Sequence, residues 1–322
     1  MNYFVFGGSG FIGTHLINLI SEKYPTSVVY NLDIKENKHD GKAIYINCDV
    51  RKSIKLDAPV TSSDIVVNLA AVHTTPGHPD HEYFETNIKG AENVTAFAER
   101  SNVKKVLFTS SIAPYGASEE MKTEMTLPMP NTPYGISKLV AEKIHMIWQA
   151  KKETERQLTI VRPGVVFGKG ENGNFTRLYW GIKKHRFFYP GRKDTVKASI
   201  YVKELVNFML YRIEMDKTDV EIYNCTYEPA FTIEEISNAM MKATNMKRTI
   251  YKIPGGFLKL AAGIIGALGG KSFGIHPDRV KKLMISTNIS GKKLKESNYQ
   301  FQYTFDEALT DWYKDNDNLF LE

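Results

Sequence analysis

The chain has 322 residues, 42 Lys and Arg against 36 Asp and Glu, a net charge of +6 and two cysteines. That length can bury a large core as one α/β domain with a smaller lobe, and Cys48 and Cys225 supply no disulfide framework. The modest positive charge is spread along the chain, which suits an anionic small substrate and gives nucleic-acid binding little support.

In chain order, residues 2–6 are short and apolar and read as a buried parallel strand, and residues 11–20 carry apolar side chains at helical spacing. Because this start is already strand and turn, no secretory leader is expected. Between the two lie Gly7, Gly10 and Gly13. Gly7 permits a tight turn, Gly10 lets the backbone approach a pyrophosphate, and Gly13 lets helix and strand pack closely. The helix start at Phe11 and Ile12 then offers N–H groups and partial positive charge to phosphates. The spacing departs from G-x-G-x-x-G, so the loop alone also suits an ordinary βα turn.

A second strand, 27–32, ends on Asp33, about 20 residues beyond the glycines, where a carboxylate would bond the adenosine ribose hydroxyls. It would repel a 2′-phosphate, which favours NAD over NADP, with Lys35 close enough to blur the preference. Strand-like runs at 43–47, 64–69, 104–109 and 158–161 alternate with helical stretches at 83–99 and 134–151. This pattern predicts an α/β fold: a Rossmann-type doubly wound parallel sheet with a smaller mixed α/β C-terminal substrate lobe. The NAD-binding domain is expected over 1–167, rejoined by about 195–222, and the lobe over most of 168–322.

Ligands of such sheets bind beyond the carboxyl ends of the strands. Cys48-Asp49-Val50, Ala70-Ala71, Ser110-Ser111 and Arg162-Pro163-Gly164 follow those ends. Tyr134 and Lys138 stand one helical turn apart. On one face they would set a phenol beside an ammonium, whose charge, with that of a nicotinamide, would favour the phenolate. Tyr134 is then the acid/base, Lys138 its electrostatic support, and Ser111 the group that orients a substrate oxygen. Alone, Tyr-x-x-x-Lys also describes an exposed helical pair; with the dinucleotide features it points to hydride chemistry on an alcohol or ketone.

These residues resemble the extended short-chain dehydrogenases/reductases of the nucleotide-sugar epimerase/dehydratase type. The resemblance rests on Gly7-Gly8-Ser9-Gly10-Phe11-Ile12-Gly13, Asp33, Asp49-Val50, Asn68-Leu69-Ala70-Ala71, Thr86-Asn87, Thr109-Ser110-Ser111, Tyr134-Gly-Ile-Ser-Lys138 and Arg162-Pro163-Gly164. It implies an enzyme using NAD, with Asp49 and Val50 flanking the adenine and Leu69, Ala70 and Ala71 lining the cofactor groove beside Pro163. It also implies a sugar-nucleotide site, UDP-linked, in which Ser111, Asn174, Lys197 and Arg279 contact substrate. Lys197 stands where relatives often carry arginine, trading a bidentate fork for a point charge. Ile112-Ala113 stand where 4,6-dehydratases carry an Asp-Glu pair, which argues against dehydration. A cytoplasmic homodimer through helices 83–99 and 134–151 is implied as well.

Further on, 175–184, 202–212, 232–243 and 306–313 read as helices and 221–224 as a strand. Residues 253–270 are unusually apolar, but Lys259 and several glycines interrupt them. They read as a lobe helix started by Pro254 and ended at Gly269-Gly270, with a membrane-surface or partner-binding helix as the other reading and no membrane span. His73, His78 and His81 suit a polar loop, and no cluster has metal-ligand spacing. The expected activity is epimerisation, at C4 of a UDP-hexose, by transient oxidation of a sugar hydroxyl. A 4-keto-sugar reductase using NAD or NADP is the alternative, and a silent dinucleotide sensor a remote one.

Overall fold

The computed structural model describes residues 1–37, 39–74, 77–254 and 284–316. The first half contains β1 (Tyr3–Phe6), α1 (Phe11–Lys23), β2 (Val29–Asp33), β3 (Ile44–Asn47), β4 (Ile65–Asn68), α2 (Asp80–Tyr83), α3 (Lys89–Arg100), β5 (Lys105–Thr109), β6 (Ser118–Lys122) and α4 (Pro133–Ala150). Then come β7 (Gln157–Pro163), β8 (Val165–Phe167), α5 (Asn174–Lys183), β9 (Tyr189–Pro190), β10 (Val196–Lys197), β11 (Ser199–Tyr201), α6 (Val202–Glu214) and β12 (Val220–Cys225). The chain closes with β13 (Phe231–Thr232), α7 (Ile233–Ala243), β14 (Lys252–Ile253), β15 (Thr287–Ile289), α8 (Lys292–Lys295) and α9 (Phe305–Asp315).

Seven strands form a wholly parallel sheet in the order β12-β7-β5-β4-β1-β2-β3. Strand side chains alternate between faces, and β1 shows the consequence. Tyr3 and Val5 join Leu16, Ile17 and Ile20 of α1 and Leu205, Phe208 and Met209 of α6 in one core. Phe4 and Phe6 point the other way, onto Val94, Phe97 and Ala98 of α3 and Ala141 and Trp148 of α4. Both faces are therefore covered, as a parallel sheet requires. The smaller sheet, β13-β10-β15-β6, is mixed, because β10 and β13 run antiparallel. Beside it a third core, built around Phe167, Phe175, Tyr201, Phe305 and Trp312, ties α5, α7 and α9 together.

The helix expected over 83–99 forms, as part of a continuous helical run from Asp80 to Arg100 that changes type within it. A π-helical turn, Phe84–Ile88, separates α2 from α3. Within it Asn87 is buried, accepts from the Val72 N–H at 2.9 Å, and donates to the Val72 carbonyl at 3.1 Å and to Ser137 Oγ at 2.8 Å. A wide turn at a ligand edge is a common setting for π geometry. Most of the apolar run at 253–270 lies outside the described residues.

Glu204 of α6 is fully buried and clasps the C-terminal segment, accepting from Tyr299 Oη at 2.6 Å and from the N–H groups of Gln302 and Tyr303 at 2.5 and 2.6 Å. Glu204→Ala would strip partners from two backbone donors at once. Urea unfolding should show a loss of about 2–4 kcal/mol; an unchanged midpoint would mean that the clasp contributes nothing.

Candidate active site

The parallel register brings the ends of β1, β2, β4, β5 and β7 to one edge of the sheet. At the end of β1, Gly7 has φ of 78°, and a Cβ there would stand 2.7 Å from the Ala70 nitrogen. A Cβ on Gly13 would stand 2.6 Å from the Gly7 carbonyl oxygen. A larger residue at either position would push strand, loop and helix apart. Gly10 caps α1 with no side-chain hydrogen bond, and the first turn holds no acid. The N–H groups of Phe11, Ile12 and Gly13 thus open a helix whose start lacks a built-in anion, a cradle that fits a diphosphate.

Asp33 ends β2 against this loop: one carboxylate oxygen accepts from the Ser9 N–H at 3.1 Å and the other from the Lys35 N–H at 2.9 Å. It therefore orders the loop and places a carboxylate at the end of β2 beside it. Asp49 is gripped by the Arg51 guanidinium at 2.8–3.1 Å, which holds its carboxyl below the usual range. Val50 is buried, against Gly90 of α3. Leu69, Ala70 and Ala71 leave β4 over the glycine loop, with the Leu69 N–H on the Phe6 carbonyl at 2.8 Å. The Pro163 carbonyl, at the end of β7, accepts from the Ile112 N–H at 3.2 Å. That bond fixes the turn after Ser111.

The expected trio comes from β5 and α4. Thr132 caps α4, accepting from the Gly135 N–H at 3.1 Å, and Pro133 follows at the favoured first position. Tyr134 is thereby set at the very start of the helix. Its phenol lies beside Ser111, and its ring lies 6.1 Å from that of Tyr83. Lys138, one turn on, is 2 % exposed and donates to the Thr109 carbonyl at 2.6 Å, with its ammonium 4.3 Å from the Phe108 ring.

The electrostatics differ from the expected phenolate. Burial raises the Tyr134 phenol; the neighbouring Ser111 opposes this and Tyr83 adds to it. Lys138 is itself pushed down to about 7 by burial, partly offset by Glu142. With its Nζ on the β5 carbonyl and its charge this weakened, the lysine does not by itself lower the tyrosine.

Behind the trio lies a network the sequence reading passed over. Glu142 is fully buried, accepts from Ser110 Oγ at 2.5 Å, and takes Arg162 Nε and Nη2 at 2.8 and 2.6 Å. Arg162 also donates to Tyr115 Oη at 2.6 Å, which donates to Asn224 at 2.9 Å. The signal was present as spacing, since Tyr134, Lys138 and Glu142 repeat every fourth residue. Tyr83, buried against Tyr134 and bonded to the Thr74 carbonyl at 2.5 Å, left no such mark.

The substrate-side candidates are more dispersed. Asn174 is exposed at the start of α5 and accepts from Arg177 at 3.0 Å. Lys197, on β10 of the lobe sheet, donates to the Ile285 carbonyl at 2.7 Å, and burial pushes its ammonium down to about 8. Arg279 lies outside the described residues. Among those residues, no group of His, Cys, Asp and Glu is arranged to hold a metal ion.

Two outcomes follow from this geometry. With Lys138 near 7 when folded and 10.5 as the ordinary value, the unfolded chain binds the extra proton between those pH values. Stability of the nucleotide-free protein should therefore rise with pH across that window relative to Lys138→Met, by up to about 1.4 kcal/mol per pH unit. Urea unfolding of both at pH 7 and 9 would contradict the burial argument if their difference stayed constant. Calorimetry should also find NAD binding more tightly than NADP, with Asp33→Ser narrowing the gap. Equal or tighter NADP binding by the unaltered protein would overturn the role of Asp33.

Three comparisons bear on this arrangement. Residues 3–226 match the model of the NAD dependent epimerase/dehydratase family. The chain is 31% identical over 316 residues to the N-acetyl-alpha-D-glucosaminyl-diphospho-ditrans,octacis-undecaprenol 4-epimerase of Escherichia coli O157:H7, covering 96% of this chain and 93% of that one. It is 31% identical over 226 residues to the UDP-glucose 4-epimerase of Vibrio cholerae, covering 67% and 68%. Among solved structures, MoeE5 in complex with UDP-glucuronic acid and NAD shares the fold, with a TM-score of 0.74 at 18% identity over 98% of this chain and 100% of that one. The glycine cradle, Asp33 and the Tyr134–Ser111–Lys138 group thus stand in a chain that belongs to the NAD dependent epimerase/dehydratase family.

Proposed function

We propose that the protein is an NAD-dependent 4-epimerase of a sugar joined to a diphosphate, with a UDP-hexose as the first reading. The observation that carries this is the Tyr134 phenol set beside Ser111 at the ligand edge, with Lys138 buried one turn along the same helix. When bound, NAD supplies reversible hydride acceptance at the sugar carbon and a positively charged ring. Ser111 holds the sugar oxygen, and Tyr134 takes the hydroxyl proton and gives it back. The raised phenol favours the returning step. Ser111 favours the taking step, as would the positive charge of a bound nicotinamide. Catalysis in both directions needs these opposed influences near balance.

A second reading concerns the carrier. The Escherichia coli relative named for a polyprenol-diphosphate substrate aligns with nearly the whole of this chain, and the Vibrio cholerae UDP-glucose enzyme with about two thirds of it. The apolar sequence at 253–270 is also easier to reconcile with a lipid-borne sugar than with a nucleotide. Purified protein offered UDP-N-acetylglucosamine and a short-chain polyprenyl-diphosphate N-acetylglucosamine should epimerise at least one of them, and the preferred one names the carrier. Tyr134→Phe should lower kcat by about 10²–10⁴-fold with substrate binding retained, and Ser111→Ala should cost less. Failure to epimerise either, with reduction of a 4-keto sugar instead, would replace the epimerase by the reductase.

A cytoplasmic homodimer belongs to the same proposal. Ile136, Val140 and Ile147 of α4 are exposed beside a groove shared with Thr95 and Ala96 of α3, and no described helix is long and apolar enough to cross a membrane. Light scattering at micromolar concentration should give twice the 36.5 kDa chain mass; a monomer would count against the pairing.

A further inference from the structure

We propose that the rim of the lobe formed by the end of α5, the β9–β14 pair and the loop before β14 is a docking surface for an anionic lipid bilayer. Two stretches distant in sequence meet there. The Tyr189 N–H donates to the Tyr251 carbonyl at 2.9 Å and the Gly191 N–H to the Ile253 carbonyl at 2.8 Å, with Lys252 in register with Tyr189. One stretch brings Lys183, Lys184 and Arg186, the other Lys247, Arg248 and Lys252; all but the half-buried Lys183 are exposed. Neither 183–190 nor 242–254 contains an Asp or Glu. Among the described residues, the bordering carboxylates have cationic partners: Asp194 with Arg192 at 2.7 Å and, more weakly, with Lys252, Glu234 with Lys193 at 2.9 Å, and Asp306 with Lys242 at 2.6 Å.

Like charges are crowded here. The ammonium groups of Lys183 and Lys184 both stand 4.7 Å from the Trp180 ring. Trp180, Phe187, Met246 and Ile250 rest on one apolar cluster, which fixes both stretches to the same support. Tyr251 projects from the middle, 74 % exposed. A basic field around a projecting tyrosine matches the headgroup region of an anionic leaflet. There lysines and arginines meet phosphate, and amphipathic rings sit at the boundary. A soluble anion would need a concave site with buried donors, whereas this rim is an outward-facing field. None of these residues belongs to the catalytic or cofactor group.

The proposal rests on the lipid-carried reading above, in which the sugar must be met at a membrane surface. Its test is flotation of the full-length protein with vesicles of phosphatidylcholine alone or mixed with phosphatidylglycerol, without substrate. Binding is expected to the mixed vesicles only, at ~0.1 M salt and not at ~1 M, where screening is nearly complete. Each basic residue at such a surface is worth roughly fivefold in partition, so K247Q/R248Q/K252Q should lower it about 100-fold. The charge-matched K52Q/K55Q/K217Q should leave it unchanged. Thermal unfolding and NAD affinity should be unaltered in both variants. Equal binding to uncharged vesicles, or binding that survives the first triple substitution, would overturn the proposal. So would retention on nucleic acid with none on vesicles. Anionic-vesicle binding without turnover of a lipid-linked sugar would reject the carrier reading and keep the docking surface. Turnover in detergent with no vesicle binding would do the reverse.

Discussion

The site depends on one carboxylate that has no contact with water. Glu142 is held by the Arg162 guanidinium through two bonds and by the Ser110 hydroxyl through a third, so it joins α4, β5 and β7 below the ligand edge. A buried ion pair does not stabilise greatly against an apolar replacement, yet losing one partner strands the other charge. Its consequence here is positional. With Ser110 pinned to α4 from below and Lys138 bonded to the Thr109 carbonyl next to it, the backbone leading to Ser111 has little freedom. Tyr134 and Ser111 then meet without either needing a flexible search.

The same burial that gives precision of placement sets the electrostatic problem. Lys138 and His145 lie on the inner face of α4, and both are driven toward their neutral forms, to about 7 and about 4. His145 stacks on Phe108 and bonds the Ala141 carbonyl at 2.8 Å, so it serves as packing rather than as a base. Tyr134 is held as the phenol by its surroundings. A positive ligand ring beside this group would oppose that burial directly, which ties proton transfer to cofactor binding.

Much of this was legible in the sequence, for local reasons. Gly7, Gly10 and Gly13 are demanded by backbone approach, and Asp33 by its place at a strand end. The alternation of apolar runs survives because both sheet faces are covered. What escaped detection depends on long-range partners. The π turn at Phe84–Ile88 carries Asn87 to Val72 and Ser137, a contact no periodicity announces. The lobe strands β9, β10, β13 and β14 are two residues each and leave no alternation to read. Lys138 read as a helper of the phenolate because its neighbour at i−4 was visible and its burial against Phe108 was not. Asn174 and Lys197 came from resemblance alone, and the folded chain puts one on a helix start and the other in a strand of the lobe.

In the proposed reaction a hydrogen leaves a sugar carbon and returns to it without meeting water, with Tyr134 handling only the hydroxyl proton. Running the epimerisation in deuterated water and examining the product by mass spectrometry and NMR tests this most directly. No deuterium is expected at the inverted carbon. Solvent deuterium at that carbon would mean proton abstraction beside a carbonyl, and the roles assigned to Tyr134, Ser111 and Lys138 would be wrong.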